Sequence, residues 1–162
     1  MAQESSLAYQ EFVPETEFAQ SSTTVALEGT DRQEPLSQPK DYFVERDGVV
    51  FAGSHVLADL WGARNLDDIE LIERSLRAAV AVCGATLLHI HLHHFSEGGG
   101  VSGVAVLAES HITVHTWPER GFAAFDIFMC GKCDPEKALP VLRDFFQPTE
   151  MTVGQHRRGV VA

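Results

Sequence analysis

The chain has no apolar run approaching the roughly 20 residues of a membrane-spanning helix, so no membrane role is expected. Its opening residues, MAQESSLAYQEF, lack both the basic flank and the apolar centre of a secretion signal, and a cytoplasmic location is the expectation that follows. Clustered lysine and arginine are also missing, and the formal net charge is −11, so nothing points to nucleic acid. Only three cysteines occur, Cys83, Cys130 and Cys133, an odd number that argues against a disulfide framework. Cys130-Gly-Lys-Cys133 has C-x-x-C spacing, but one such pair supplies only half a zinc site. It also follows a strand-like segment, where a thioredoxin-type motif would open a helix.

What is present fits one soluble globular domain. The chain has 162 residues, 44% of them hydrophobic and 22% charged. The negative charge is unevenly placed: residues 1–45 hold nine acids against two bases, and residues 46–162 hold fourteen against ten. Residues 1–45 are polar and aperiodic and read as an acidic, disordered or loosely docked extension, with the folded domain over 46–162.

Within that domain, GSHVLADLWGA suggests a strand around His55–Leu60. A helix follows, with Asp67 as N-cap, Glu70 three residues on, and Leu66 with Leu71 as a staple. Ile69, Ile72, Leu76, Ala79, Val80 and Cys83 share one face, and Gly84 ends the helix. TLLHIHLHHF (86–95) is strand-like, SEGGG turns the chain, and VSGVAVLAE is a further strand. HITVHTW either continues that strand or starts another. After a turn at Pro118 and Gly121 comes the strand FAAFDIFMC. Asp134 and Pro135 open a second helix that runs to about Phe146, with Pro140 bending its first turns. EMTVGQHR reads as a last, shorter strand. The order β-α-β-β-β-α-β implies the α+β class: a two-layer α/β sandwich, a largely antiparallel sheet with two helices on one face. Strands apolar on both sides, such as VAVLA and FAAFDIFMC, imply a second subunit on the other face.

Two groups of polar residues invite chemistry. His89, His91 and His93 share a strand face, with His94 beside them, and imidazole is a common zinc ligand. Neighbours two apart on a strand sit about 6.5–7 Å from each other, an awkward span for a shared ion. No Asp, Glu or Cys partner is close in sequence, so structural or interface histidines are the expectation and no metal is assigned. Ser110 and His115 invite a nucleophile–base reading, yet the G-x-S-x-G elbow is absent. Their odd spacing puts them on opposite faces of an unbroken strand. From spacing alone, a serine at a turn and a half-buried, hydrogen-bonded histidine are the favoured reading.

The run GVSGVAVLAESHITVHTWPERGFAAFDIFMCG, together with GSHVLADLWGA, closely resembles the prokaryotic S-adenosylmethionine decarboxylase proenzymes. The resemblance covers about residues 50–158 and leaves the N-terminal extension unmatched. It implies self-cleavage between Glu109 and Ser110. The Ser110 hydroxyl attacks the Glu109 carbonyl to form an ester, and loss of the Ser110 α-proton expels the Glu109 carboxylate. The resulting dehydroalanine tautomerises and hydrolyses to a pyruvoyl group, releasing ammonia. By the same resemblance, His115 and Ser102 assist processing, the pyruvoyl group from Ser110 forms a Schiff base with substrate, and Cys130 donates a proton. A thiol with an ordinary pKa of about 8.5 is mostly protonated at neutral pH. Glu119 matches the acceptor for the ribose hydroxyls, and Phe95 is the candidate for stacking on the adenine.

The implied function is pyruvoyl-dependent decarboxylation of S-adenosylmethionine for spermidine biosynthesis, by a homo-oligomer of cleaved two-chain protomers. The alternatives are a pyruvoyl-dependent ornithine or arginine decarboxylase on the same scaffold, or a non-enzymatic metal-binding module built on the histidine cluster. Cys133 has no assigned role. A further expectation concerns the backbone: the chain has to leave regular strand geometry at Glu109–Ser110 for the serine hydroxyl to reach that carbonyl.

Overall fold

The structure, a computed structural model, describes residues 42–96 and 98–161. The acidic extension, up to residue 41, lies outside the described residues. The fold begins upstream of residue 46, with a small antiparallel hairpin of β1 (Val44–Arg46) and β2 (Val49–Phe51). Asp47 and Gly48 make its turn with φ of 55° and 72°, the left-handed conformation that Asp-Gly adopts in two-residue hairpin loops.

The main sheet has six strands: β3 (Gly53–Trp61), β4 (Leu87–His94), β5 (Val101–Leu107), β6 (Ser110–Trp117), β7 (Phe122–Cys130) and β8 (Glu150–Arg158). They lie in the spatial order β4-β5-β6-β7-β3-β8, and every neighbouring pair is antiparallel. HITVHTW is therefore a strand of its own, which adds one strand to the order expected from sequence. The last strand is nine residues long, not short.

Helix α1 (Ile69–Val82) starts one residue later than the capping pattern suggested. Asp68, not Asp67, is the cap, because its carboxylate accepts from the Leu71 amide at 2.9 Å. The chain leaves the helix through Gly84 at φ 74°. Before the second helix, Asp134 accepts from the Glu136 amide at 3.2 Å and opens a 3-10 turn over Pro135–Lys137. Helix α2 proper is Ala138–Phe146. Pro140 thus falls in its first turn, where a missing N–H leaves no established ladder bond to lose.

Both helices cover one face of the sheet. Ile72, Leu76, Leu142 and Phe146 from the helices meet Leu60, Ile112, Phe125 and Ile127 from the strands, all essentially fully buried. The rings of Phe125 and Phe146 pack with centroids 5.5 Å apart. The opposite face carries alternate residues of every strand, and register makes it unusual. One cross-strand row reads His89, Val106, His111, Phe128, His55 and His156; another contains His93, Ser102 and His115. With His91 opposite Val104, seven of the eight histidines lie on this uncovered face. It also carries exposed Val106, Trp61 and Trp117.

Candidate active site

The site residues read from sequence fall at the two ends of β6. At its start, β5 and β6 are joined by the two-residue turn Ala108–Glu109, with Leu107 opposite Ser110. Ser110 follows with φ 154°, a backbone conformation that L-residues rarely adopt. The Glu109–Ser110 peptide therefore sits at a hairpin tip and not within a continuous ladder. The Glu109 carbonyl oxygen accepts from the Cys130 amide at 3.1 Å. Ser110 Oγ lies 3.4 Å from His111 Nδ1. Cys130, the last residue of β7, is half-buried, and burial raises its thiol pKa.

The Glu109 side chain is held too. Its carboxylate accepts from the Thr86 amide at 2.9 Å and from Thr86 Oγ1 at 3.2 Å. On the helix side of the turn is a cavity of about 430 Å³, bounded by Tyr42, Val44, Gly84, Glu109, Lys132 and Cys133. Cys133 is buried there and donates its thiol to the Gly84 carbonyl at 3.4 Å. Burial, then the nearby Glu109, raise its pKa, and burial with Asp134 pushes Cys83 up to about 11. The three cysteines are unpaired thiols.

At the other end of β6, Ser102 and His115 face each other across the β5–β6 ladder. Ser102 Oγ and His115 Nδ1 are 2.8 Å apart. They line a cavity of about 550 Å³ together with Phe95, Trp117 and Glu119. Glu119 comes from a 3-10 turn, Pro118–Arg120, that follows β6 directly. Thr116 locks this end in place: its Oγ1 accepts from the Val101 amide at 2.8 Å and donates to the Leu66 carbonyl at 2.6 Å. Gly100 runs so close to the Thr116 carbonyl that a β-carbon there has no room. Trp117 stacks on Phe122 and Phe122 on Trp61, with centroids 5.2 and 4.4 Å apart, a half-exposed aromatic array reaching from this cavity across the sheet.

The remaining histidines of the cluster separate. His93 stands edge-on to Phe95 at 4.8 Å, and His94 Nε2 lies 3.2 Å from the Gly99 carbonyl. His89, His91 and His93 are spaced along the edge strand β4.

Ser110, Glu109 and Cys130 thus gather at one end of the sheet, and Ser102, His115, Glu119 and Phe95 at the other. Five strand residues at ~3.3 Å each put about 16 Å between Ser110 and His115. Thr86 and Trp117 stand in these groups without having been singled out in sequence. Trp117 sits inside the HTWPE string, whereas Thr86 lies 23 residues from its partner Glu109 and had no local signal.

A profile of the S-adenosylmethionine decarboxylase family matches residues 54–159. The chain belongs to this family. Among curated S-adenosylmethionine decarboxylase proenzymes, that of Thermomicrobium roseum is 46% identical over 110 residues, spanning 67% of this chain and 95% of the relative. That of Methanococcus vannielii is 48% identical over 112 residues, spanning 67% and 91%. The crystal structure of the adenosylmethionine decarboxylase from Aquifex aeolicus superimposes with a TM-score of 0.62 at 36% identity, covering 69% of this chain and 94% of that one. Both residue groups lie inside the S-adenosylmethionine decarboxylase match, and the β1–β2 hairpin lies outside it. Membership in this family favours neither the ornithine or arginine alternative nor the metal-binding module.

Proposed function

We propose that this chain is a self-processing S-adenosylmethionine decarboxylase that uses a pyruvoyl group made from Ser110 and supplies an aminopropyl donor for spermidine synthesis. The observation that carries the reading is the Glu109–Ser110 hairpin tip. Ser110 is in a strained conformation, and the carbonyl it would attack already accepts a hydrogen bond from Cys130 N–H. As Ser110 Oγ adds to that carbonyl, negative charge grows on the Glu109 oxygen, and a fixed backbone donor stabilises it. The C–N bond breaks to leave an ester, and removal of the Ser110 α-proton expels the Glu109 carboxylate. Water then replaces the nitrogen of the dehydroalanine, as its imine tautomer, and ammonia leaves.

The turn suits the group on chemical grounds: a half-buried serine with a weakly held hydroxyl at a hairpin tip, beside a thiol kept protonated by burial. The pyruvoyl group supplies an electron sink that the twenty side chains lack. The chain's own residues do the rest. Cys130 Sγ holds a proton beside position 110. Glu119 offers acceptors to a ribose diol, and the Phe95 and Trp117 rings offer faces to an adenine and a sulfonium. Ser102 and His115, hydrogen-bonded to each other, form an acid–base pair for proton removal during processing.

Because about 16 Å separates the two groups, one protomer does not assemble the site. An isologous dimer through the uncovered sheet face brings the Ser110 end of one copy against the His115 end of its partner, twice per dimer. The exposed tryptophans and half-buried strand residues of that face support this arrangement. No described helix is long and apolar enough to cross a membrane, and a cytoplasmic enzyme is in keeping with a biosynthetic role.

Intact-mass analysis is the test. The wild-type chain should appear as two fragments, the smaller beginning with a blocked residue 110, and Ser110→Ala as one. A wild-type chain that stays whole sinks the proposal. Release of carbon dioxide from S-adenosylmethionine, set against ornithine and arginine, tests the substrate.

A further inference from the structure

Thr86 touches the cleavage turn at three points. Its carbonyl accepts from the Ala108 amide at 3.0 Å, its amide donates to Glu109 Oε2 at 2.9 Å, and its Oγ1 donates to Glu109 Oε1 at 3.2 Å. The segment carrying it has a reason to be where it is. The chain leaves helix α1 through Gly84, and strand β4 starts with a register shift between Leu87 and His89 against β5. Ala85 and Thr86 are the two residues between those features, and Thr86 is the one next to the strand.

The turn it grips is a poor one by composition. Neither Ala108 nor Glu109 is a residue that favours hairpin loops, and Ser110 bears a backbone angle that glycine would normally take. Such a conformation persists only when the surroundings over-determine it. The surroundings here are Cys130 on one side, through the Glu109 carbonyl, and Thr86 on the other, through the Glu109 carboxylate and the Ala108 amide. The two grips fix the plane of the Glu109–Ser110 peptide from both ends of the glutamate.

We propose that Thr86 is a positioning residue for self-cleavage. By clasping the Glu109 carboxylate in two hydrogen bonds, it holds the scissile carbonyl square to Ser110 Oγ and keeps a negatively charged side chain away from an oxygen that becomes an anion. The inference rests on the self-processing reading. It also accounts for the glutamate at the cut: an acidic residue there can be clasped by a backbone amide and a hydroxyl together, which an alanine cannot.

The test follows the rate of appearance of the two fragments by intact mass after synthesis, in four chains. Thr86→Val removes the hydroxyl donor and keeps the shape, and it should cleave several-fold more slowly. Glu109→Ala removes both bonds and should be slower still, by about tenfold or more, the scale of a charged hydrogen bond lost during reaction. Thr86→Ser, which restores the hydroxyl, should return the rate to near that of wild type. Melting temperatures are compared in a Ser110→Ala background, where no chain is cut, and should be close to one another. Wild-type rates in both Thr86→Val and Glu109→Ala overturn the proposal. So does slowing that merely tracks a lowered melting temperature and is not rescued by serine. A wild-type chain that is itself never cut fails at the earlier step and overturns the self-processing reading.

Discussion

His55, on the uncovered sheet face, sits in surroundings that shift its pKa. Burial lowers it from the ordinary 6.5, with Asp126 opposing and Arg158, His111 and His156 adding to the effect. Its Nε2 has no hydrogen-bond partner, and the nearest Asp126 oxygen is 3.5 Å away. Asp126 is itself engaged, accepting from Thr113 Oγ1 at 3.2 Å. The neutral imidazole is therefore the form the fold prefers. In the window between the lowered folded value and 6.5, the unfolded chain binds more protons at this position than the folded one. This contribution to stability should be complete above pH 6.5 and be lost as pH falls through the folded value. Urea unfolding midpoints measured from about pH 5 to about pH 8 should rise with pH, and His55→Gln should flatten the rise.

At the scale of elements, α1 rests on a single side-chain cap. Asp68→Ala should cost about 1 kcal/mol, seen as a lower denaturation midpoint with an unchanged slope. Asp67→Ala should be nearly silent by comparison. Ahead of the apolar stripe, the capping-box spacing to Glu70 points to Asp67, and only the carboxylate-to-Leu71 geometry identifies Asp68 instead. The stripe itself was legible, as were the strands, because period and apolar content both report burial. The Ala108–Glu109 turn was not legible as a hairpin, since it contains none of the Gly, Asn or Pro residues that announce one. That is why β5 and β6 read from sequence as either one strand or two. The Asp47–Gly48 turn did carry the usual hairpin signal, and its short flanking strands concealed it. Of the candidate site, the motif string supplied the residue types. Their division into two groups depended on strand register, and the Thr86 clasp on a contact 23 residues distant in sequence.

For the whole molecule, a site shared between two copies has a genetic signature. Ser110→Ala and His115→Ala chains should each remain uncut when made alone. Made together they form mixed dimers, in which one site joins an intact Ser110 to an intact His115. Fragments of the His115→Ala chain should then appear, recognised by their mass. Their absence, with mixed dimers demonstrated, would place the whole site in a single copy. The uncovered face offers the means of association, with Trp61 and Trp117 each more than 40% exposed beside the half-buried Phe122.

A cut at the β5–β6 tip divides the sheet unevenly in space. The first piece keeps β3, β4, β5 and α1, and the second keeps β6, β7, β8 and α2. In the sheet, however, β3 from the first piece lies between β7 and β8 of the second. Three of the five strand ladders therefore join one piece to the other, a dovetail that holds long after the covalent link is gone. The asymmetry appears on unfolding. An uncut chain folds as one molecule, at a rate indifferent to concentration, whereas the two pieces have to find each other first. Diluting the cut protein during refolding should slow the formation of its protomer and lower the yield, whereas the protomer of the Ser110→Ala chain, before it pairs with a second copy, should form at a rate independent of dilution. The mature protein then depends on a folding event that only its uncut precursor performs efficiently, so the order of events, fold first and cut second, is written into the strand order itself.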